Sequence, residues 1–450
     1  MNIDKELLKY EKKGYNEYEL SIIEKCLEEG FSRREMRLLT KHKLGLGQMM
    51  EIRLGIKKGL FLREVKLYAN PEYNRHQMKF FRLALMNYLP SKQIRSYVNL
   101  DFNEEQFEEL GLALENKLSL IQIDFLANPN LKPYEMYFVR TCYEHNILIY
   151  EIEEILNKGF NEDQLKVICN GLEKGLTLNE VKIYANPEYN AKQMEQIRLG
   201  LKNKLTLDEI NLYANLKYNE KQMEQIRLGL EHNLPIDQVE IYANPKYNDF
   251  QMYRIRLILE YNLTAEHKLT QDQMKFILNP ELTSEEMHLA SICYKKGIEQ
   301  NEIENLLNKN FDINQLFRIN LGLENGLTLD EVKIYAKPEY HVFQMDEIQM
   351  LLEYNKTAEV KLTDEQIKSI LNPNLTWEKM REIRFQLVKE HEQNNQFKDV
   401  VIQNTEIIEQ NNEIEQTSLD DLIDANQPDI SDGPTTDDGP TKGGPFSHGR

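Results

Sequence analysis

The stretch QMEQIRLGL occupies residues 193–201 and returns unchanged at residues 222–230. When Met194 is taken as position 0, equivalent anchors recur along most of the chain at steps of 29 residues, with two steps of 35. The thirteen anchors are Leu20, Met49, Met78, Phe107, Met136, Leu165, Met194, Met223, Met252, Met287, Leu316, Met345 and Met380. Self-similarity with a period of about 20–50 residues is typical of repeat proteins, in which each unit packs against its neighbours.

The two longer steps contain the same extra sequence. Residues 264–287 and residues 357–380 are identical at 16 of 24 positions, and the offset of 93 residues equals one step of 35 plus two of 29. We interpret this as the duplication of a block of three units.

Each unit is predicted to contain two helices, called helix A and helix B below. Position −4 is Asn, Asp or Thr in ten units and position −1 is Glu or Gln in twelve, as in Asn190 and Gln193. This pattern is typical of a capping box at a helix start, so we interpret the recurrent Gln as a cap rather than a functional signature. Helix A is expected to end near position +10, which is Gly or Asn in nine units. A second box, Ser/Thr-x-x-Glu/Gln, begins helix B in seven units, and the phrase YANP ends it.

The side-chain pattern of helix A predicts packing on two sides. Positions 0, +3 and +7 form one apolar stripe, as in Met194, Ile197 and Leu201, and Leu at position +5, as in Leu199, points to another side. Position +6 is small in ten units. Small residues there would let helices approach closely, and the bulky exceptions, Ile258 and Leu351, come just before the two longer steps. The sequence therefore predicts an all-α fold, an α-solenoid of about thirteen helix-turn-helix repeats.

Four segments follow from this pattern and from composition. We expect an N-terminal segment at residues 1–13, the α-solenoid at 14–390, a possible capping helix at 391–416 and a disordered acidic tail at 417–450.

The charge balance is acidic throughout. The 55 basic and 74 acidic residues give a net charge of −19, and residues 391–450 alone contain 13 acidic and 3 basic residues. This balance disfavours a general nucleic-acid binder, whose surface is basic. Within the tail, SLDDLIDA (418–425) is interpreted as a spacer or a fraying helix, and alternatively as a short motif that folds on a partner's groove.

No catalytic or cofactor motif is found. Three of the four cysteines, Cys26, Cys142 and Cys293, fall at position +6, where other units have Gly or Ala, which favours a packing role. No histidines are spaced as metal ligands, and phosphate-binding loops and nucleophile elbows are absent from the sequence. We expect no enzyme activity, no cofactor and no metal.

The sequence also indicates a cytoplasmic location without a membrane partner. Its first residues, MNIDKELLKYEKKGY, lack the apolar segment of a signal peptide, and no run of about 18 apolar residues occurs.

One candidate feature is an arginine at position +4 of helix A. We expect these arginines either to pair with carboxylates in the same helix, such as Arg198 with Glu195 and Arg227 with Glu231, or to form a ladder that binds carboxylates or phosphates. The seven arginines are Arg53, Arg82, Arg140, Arg198, Arg227, Arg256 and Arg384.

A second candidate feature is a set of aromatic residues at positions −3, −2, +1 and +2, which are polar in other units. Positions that vary between units are free for binding, and aromatic residues are frequent binding hot spots. An alternative is that they cover the longer steps or pack against the terminal segments. The set is Tyr134, Tyr137, Phe138, Phe250, Tyr253, Phe317, Phe343 and Trp377.

Two stretches of the repeat resemble helical repeats of other proteins. GLTLNEVKIYANP (175–187), in which Pro closes the hairpin, is similar in rhythm to the roughly 30-residue helical repeats of mitochondrial transcription termination factors. That resemblance implies nucleic-acid binding in a basic groove, from which the net charge of −19 departs. YANPEYNAKQMEQIRLGL (184–201) resembles helical repeats of uncharacterised bacterial proteins often carried on mobile elements, which implies no activity.

The sequence favours a non-catalytic scaffold that binds a protein or peptide. The alternative is a nucleic-acid-binding or regulatory repeat protein that uses the arginine ladder. The oligomeric state and the partner's identity are left open.

Overall fold

The computed structural model describes residues 3–41 and 43–393, and every regular element in these ranges is an α-helix. The first nineteen helices in chain order are α1 (Ile3–Glu11), α2 (Glu17–Glu28), α3 (Arg33–Thr40), α4 (Leu46–Lys57), α5 (Leu62–Tyr68), α6 (Arg75–Met86), α7 (Ser91–Val98), α8 (Glu104–Glu115), α9 (Leu120–Leu126), α10 (Pro133–Glu144), α11 (Ile149–Leu156), α12 (Glu162–Glu173), α13 (Leu178–Tyr184), α14 (Ala191–Lys202), α15 (Leu207–Tyr213), α16 (Glu220–Glu231), α17 (Ile236–Tyr242), α18 (Asp249–Thr264) and α19 (Gln271–Ile277). The next six are α20 (Ser284–Lys295), α21 (Gln300–Leu307), α22 (Ile313–Glu324), α23 (Leu329–Tyr335), α24 (Val342–Thr357) and α25 (Asp364–Lys368). Residues 377–393 are also helical.

The predicted repeat is confirmed. The even-numbered helices from α2 to α24 and the helical residues 377–393 begin at the thirteen predicted helix A positions, and the odd-numbered helices from α3 are helix B. The N-terminal segment contains α1. The tail, and all but the first three residues of the possible capping helix, lie outside the described residues.

The described residues divide into two compact parts, which we call the N-terminal part (up to residue 287) and the C-terminal part (from residue 288). Within each part, consecutive helices A pack side by side, and in several repeats helix B packs between its own helix A and the next. In the N-terminal part α13 packs against α12 and α14, and in the C-terminal part α23 packs against α22 and α24. No described helix combines the length and apolar character needed to cross a membrane.

The predicted capping boxes form, and the Gln at position −1 has an additional role. The Asn161 side chain accepts a hydrogen bond from the Gln164 backbone N–H at 3.0 Å, and Gln164 Oε1 accepts one from the Asn161 N–H at 2.9 Å. Gln164 Nε2 also donates to the carbonyl oxygens of Pro187 at 3.0 Å and Tyr189 at 2.6 Å. One side chain thus caps helix A and also holds the turn that follows helix B. A Glu at this position could provide the cap, but it has no N–H group to donate to the turn.

As predicted, helix A ends near position +10 in most units, two residues before a residue with positive φ, as with Lys57 and Gly59. Gly59 and Gly175 adopt this conformation, and so do Tyr88, Lys117 and Lys204, which lack the freedom of Gly.

Asn262 and Asn355 were expected to end helix A at this position, and that expectation is wrong. In both longer units helix A continues for another turn, to Thr264 and Thr357. The Asn262 and Asn355 side chains instead accept hydrogen bonds from the backbone N–H groups of Leu269 and Leu362, at 2.6 Å in each case. The six extra residues therefore extend helix A and form a loop that the Asn side chain holds.

The small residue at position +6 accommodates a tyrosine from helix B of the same unit. A Cβ built on Gly229 would overlap the hydroxyl oxygen of Tyr242, which lies fully buried against it. Tyr242 donates a hydrogen bond to the Gln225 carbonyl oxygen at 3.2 Å. The same overlap occurs between Gly55 and Tyr68, Gly171 and Tyr184, Gly200 and Tyr213, and Gly322 and Tyr335.

Most units without this glycine have a shorter side chain in place of the tyrosine. The exception is the unit with Ala84, where the Tyr97 hydroxyl donates to Asp124 of the next helix B. Ala113 at +6 occurs with the buried Leu126 in helix B, and Cys142 occurs with the buried Ile155. The close approach predicted for position +6 is therefore a fit within each unit.

Candidate interaction surface on helix A

Positions −2, +1 and +5 lie on one face of each helix A, which we call the outer stripe; position +5 is nevertheless buried in three units, at Leu83, Thr141 and Ile292. Their spacing of three and four residues places them on one helix face, about opposite the buried stripe of positions 0, +3 and +7. Positions +2 and +4 lie on the two flanks between these stripes, where consecutive helices A meet. At positions −2 and +1 the outer stripe is charged in some units, as with Lys192 and Glu195, and aromatic in others.

Four predicted aromatic residues are well exposed on the outer stripe. The exposed fractions are 64% for Phe250, 41% for Tyr253, 54% for Phe317 and 50% for Phe343. Tyr134 and Tyr137 on the same stripe, and Trp377 at position −3, are half-buried.

Phe138 was expected among these surface aromatics, and that expectation is wrong because it is fully buried. It lies at position +2, which faces position +4 of the following unit, as the Glu51–Arg82 contact shows. In the unit that follows Phe138, position +4 is occupied by a small residue, Cys169. A buried aromatic residue and a small residue thus replace the charged pair at this interface.

A cationic group lies beside the ring of most of the aromatic candidates on the outer stripe, namely Tyr134, Tyr137, Phe250, Tyr253 and Phe317. Lys221 Nζ is 6.0 Å from the Phe250 ring centre, and the Arg256 guanidinium is 5.4 Å from that of Tyr253. In the other helices, Arg140 lies 5.3 Å from the Tyr137 ring centre. The combination of an apolar ring and a nearby cation suits a ligand that is both apolar and acidic.

The seven arginines at position +4 are all paired, and most are buried between units. Arg82 Nε donates to Glu51 at 2.9 Å, and Arg140 contacts both Glu109 at 2.7 Å and Glu144 at 2.6 Å. The exposed fractions are between 4% and 8% for the five arginines Arg82, Arg140, Arg198, Arg227 and Arg256. The remaining two, Arg53 and Arg384, are less buried and bind Glu29 and Glu347.

The partners of these arginines form a network that crosses each interface. Arg227 binds Gln196 of the preceding unit at 3.0 Å and Glu231 of its own helix at 2.6 Å. Glu231 also accepts a hydrogen bond from Asn203 of the preceding unit at 2.8 Å. The predicted pairing of Arg227 with Glu231 is confirmed. The hydrogen bonds from several of the arginines to position +2 of the preceding unit were not predicted. The sequence does contain a signal for them, because a Glu or Gln lies 31 residues before these arginines.

Arg198 lacks these partners. The preceding unit has Val167 at position +2, and position +8 of its own helix is Lys202. Arg198 therefore binds Glu195, as predicted, with contacts of 2.7 and 2.6 Å. Its buried Nη1 has no hydrogen-bond partner among the described residues.

Burial raises the pKa of the thiols and of one interface carboxyl. The four cysteines are free and buried, and desolvation raises the pKa of Cys26, Cys169 and Cys293 to about 12. Desolvation also raises the pKa of Glu109, against the opposing effect of Arg140. Neutral buried thiols are poor nucleophiles and poor metal ligands.

A polar pocket of about 400 Å³ lies where α4, α6 and α8 meet. Its lining includes Glu51, Arg82, Lys79 and Glu108. These charges neutralise each other, because Arg82 binds Glu51 and Lys79 Nζ binds Glu108 at 2.7 Å.

Within residues 3–41 and 43–393 there is no group of three His, Cys, Asp or Glu side chains arranged to hold a metal ion. A scan against protein-family models finds no match, and a search of curated proteins finds no similar sequence.

Proposed function

We propose that this chain is a non-catalytic, cytoplasmic scaffold whose outer stripe on helix A binds a protein or peptide. The observation that carries the proposal is the exposure of Phe250, Tyr253, Phe317 and Phe343 at positions where neighbouring units have charged residues. The free, unpaired state of the four cysteines fits a reducing compartment.

Exposed aromatic residues at repeated positions favour binding over packing. Phe250 and Tyr253 lie three residues apart on α18, so both rings are on one face. Burying a ring of this kind contributes roughly 1.5–3 kcal/mol, and aromatic anchors dominate many protein interfaces.

The neighbouring cations indicate the chemistry of the partner. Lys221, which is exposed, lies beside the ring of Phe250, so an acidic group bound there would meet a positive charge next to an apolar surface. We therefore expect the partner segment to combine apolar anchors with Asp or Glu.

The nucleic-acid alternative is less well supported. A phosphate-binding ladder requires accessible guanidinium groups, and here all seven arginines already bind carboxylates or amides. Exposing them would break contacts between units. If nucleic acid binds nevertheless, its affinity should fall steeply with salt.

The test is affinity capture from a lysate of the source cells, treated with nuclease and read by mass spectrometry. Three forms of the full chain are compared: wild type, Phe250→Ser with Tyr253→Ser, and Phe61→Ser. Phe61 is a matched control because it is also 64% exposed but lies at the start of helix B.

We expect one discrete protein to be retained by wild type and by Phe61→Ser, and to be lost from the Phe250 and Tyr253 double variant. Retention by all three forms would contradict binding through these aromatics. Recovery that depends on intact nucleic acid would instead favour the alternative.

A further inference from the structure

Among the described residues of the C-terminal part, the last two helices A carry a group of exposed apolar residues. Phe343 and Met350 lie seven residues apart on one face of α24, and Trp377 and Phe385 lie eight apart on the following helix. Met350 and Phe385 are exposed, and the Phe343 and Trp377 ring centres are 5.7 Å apart. We call these four residues the terminal patch.

Two arginines also lie at the centre of the terminal patch. Arg381 Nε and Arg384 Nε donate to the two carboxylate oxygens of the buried Glu347, at 2.7 and 2.8 Å. Two guanidinium groups thus share one carboxylate. Arg381 has 47% of its side chain exposed and lies 4.5 Å from the Trp377 ring centre.

The chain itself contains a segment with the complementary character. In SLDDLIDA (418–425), Leu419, Leu422 and Ile423 have the spacing i, i+3, i+4, and three Asp residues occupy the positions between and beside them. No Lys, Arg or His occurs from residue 399 to residue 441, so no basic side chain there offsets these acids.

The length of chain before this segment permits its return to the terminal patch. Twenty-four residues separate Gln393 from Ser418. At about 3.3–3.6 Å per residue, a fully extended chain of this length could span about 80–90 Å, whereas neighbouring packed helices lie about 8–10 Å apart.

We propose that residues 418–425 of this chain dock on its own terminal patch, with Leu422 and Ile423 on the rings and the aspartates beside Arg381. This docking would cover part of the outer stripe and regulate access of an external partner to it. In that respect it rests on the proposed function, but the docking itself requires no external partner.

Trp377 is the only tryptophan of the chain, so its fluorescence reports on the patch directly. We would measure acrylamide quenching of three forms of the full chain: wild type, Leu422→Ser with Ile423→Ser, and Ile407→Ser with Ile408→Ser. The last is a matched control that removes two aliphatic residues from a nearer acidic stretch. Far-UV circular dichroism would verify that all three forms are equally helical.

We expect the quenching constant to rise at least about 1.5-fold in the Leu422 and Ile423 variant, because losing two apolar anchors shifts the population toward the open state. The control should match wild type. An unchanged quenching constant in the Leu422 and Ile423 variant would overturn the proposal. An equal or larger change in the control would also overturn it, because the stretch around Ile407 and Ile408 would then be the one that covers Trp377.

Dilution distinguishes docking within one chain from docking between copies. The quenching constant of wild type should be independent of protein concentration. A constant that rises on dilution would show that the segment comes from a second copy and would overturn docking within one chain. Because this readout uses the protein alone, it fails or succeeds independently of the lysate capture.

Discussion

Replacing Gly229 with Ala should destabilise the protein through a single atomic overlap. The new Cβ would overlap the Tyr242 hydroxyl oxygen but lie 3.3 Å from Tyr242 Cζ, a distance that a small shift relieves. Overpacking of this kind costs about 1–3 kcal/mol, and the better helix propensity of Ala offsets up to about 1 kcal/mol. We therefore expect Gly229→Ala to lower the free energy of unfolding by roughly 1–2 kcal/mol.

Removing the hydroxyl group should remove most of this penalty. Tyr242→Phe alone loses a 3.2 Å hydrogen bond to Gln225, worth about 0.5–1.5 kcal/mol. Adding Gly229→Ala to Tyr242→Phe should then cost little more, so the two changes couple favourably by about 1–3 kcal/mol.

The assay is urea unfolding followed by far-UV circular dichroism, with the four forms of this double-mutant cycle compared. Gly111→Ala is the matched control, because a Cβ there meets its nearest atom at 3.7 Å. It should be neutral or stabilising by up to about 1 kcal/mol. Additive effects of Gly229→Ala and Tyr242→Phe, or an equal loss from Gly111→Ala, would refute the reasoning.

Three further predictions follow from the contacts. Gln164→Glu keeps the cap but loses two donated hydrogen bonds, so unfolding measurements should show a loss of about 1–3 kcal/mol, whereas Gln122→Glu, which only caps, should be near neutral. Hydrogen bonds from Arg53 and Lys57 lower the pKa of Glu29, so its contribution to stability is present above the usual pKa of 4.5 and is lost as the pH falls through the lower folded-state pKa. Glu29→Gln should accordingly flatten the stability–pH curve in acid, and an unchanged curve would contradict this. The four buried thiols should resist a thiol reagent at pH 8 in the native protein and react when urea is added; rapid native labelling would count against their burial.

The repeat could be predicted almost completely because its signals are local. Capping pairs such as Asn161 and Gln164, and the glycines at position +10, act over three or four residues, and the structure places them as expected. Asn262 misled the prediction because Asn tolerates the left-handed conformation but does not require it. The six extra residues that follow gave its side chain another hydrogen-bond partner.

The candidate surface was only partly predictable, because a polar residue in one unit does not establish exposure at the same position in another. Gln196 at position +2 suggested a solvent-facing site, and Phe138 was assigned to the surface on that pattern. Gln196 instead accepts a hydrogen bond from Arg227 across the interface, and Phe138 is buried at the equivalent place. Which residues face each other across units depends on the register between consecutive helices A. Here that register brings together residues 31 positions apart, such as Gln196 and Arg227, and local sequence patterns do not reveal it.

The central claim is that partners bind at the outer stripe of helix A. It is tested most directly by placing a photo-cross-linking amino acid at residue 250 in one full-length form and at residue 121 in another, in the source cells. Ile121 is 76% exposed in the helix B α9, so it matches the exposure of Phe250 on a different surface. The account predicts a discrete cross-linked protein from residue 250 and none from residue 121. Equal cross-linking from both positions, or cross-linking from residue 121 alone, would contradict it.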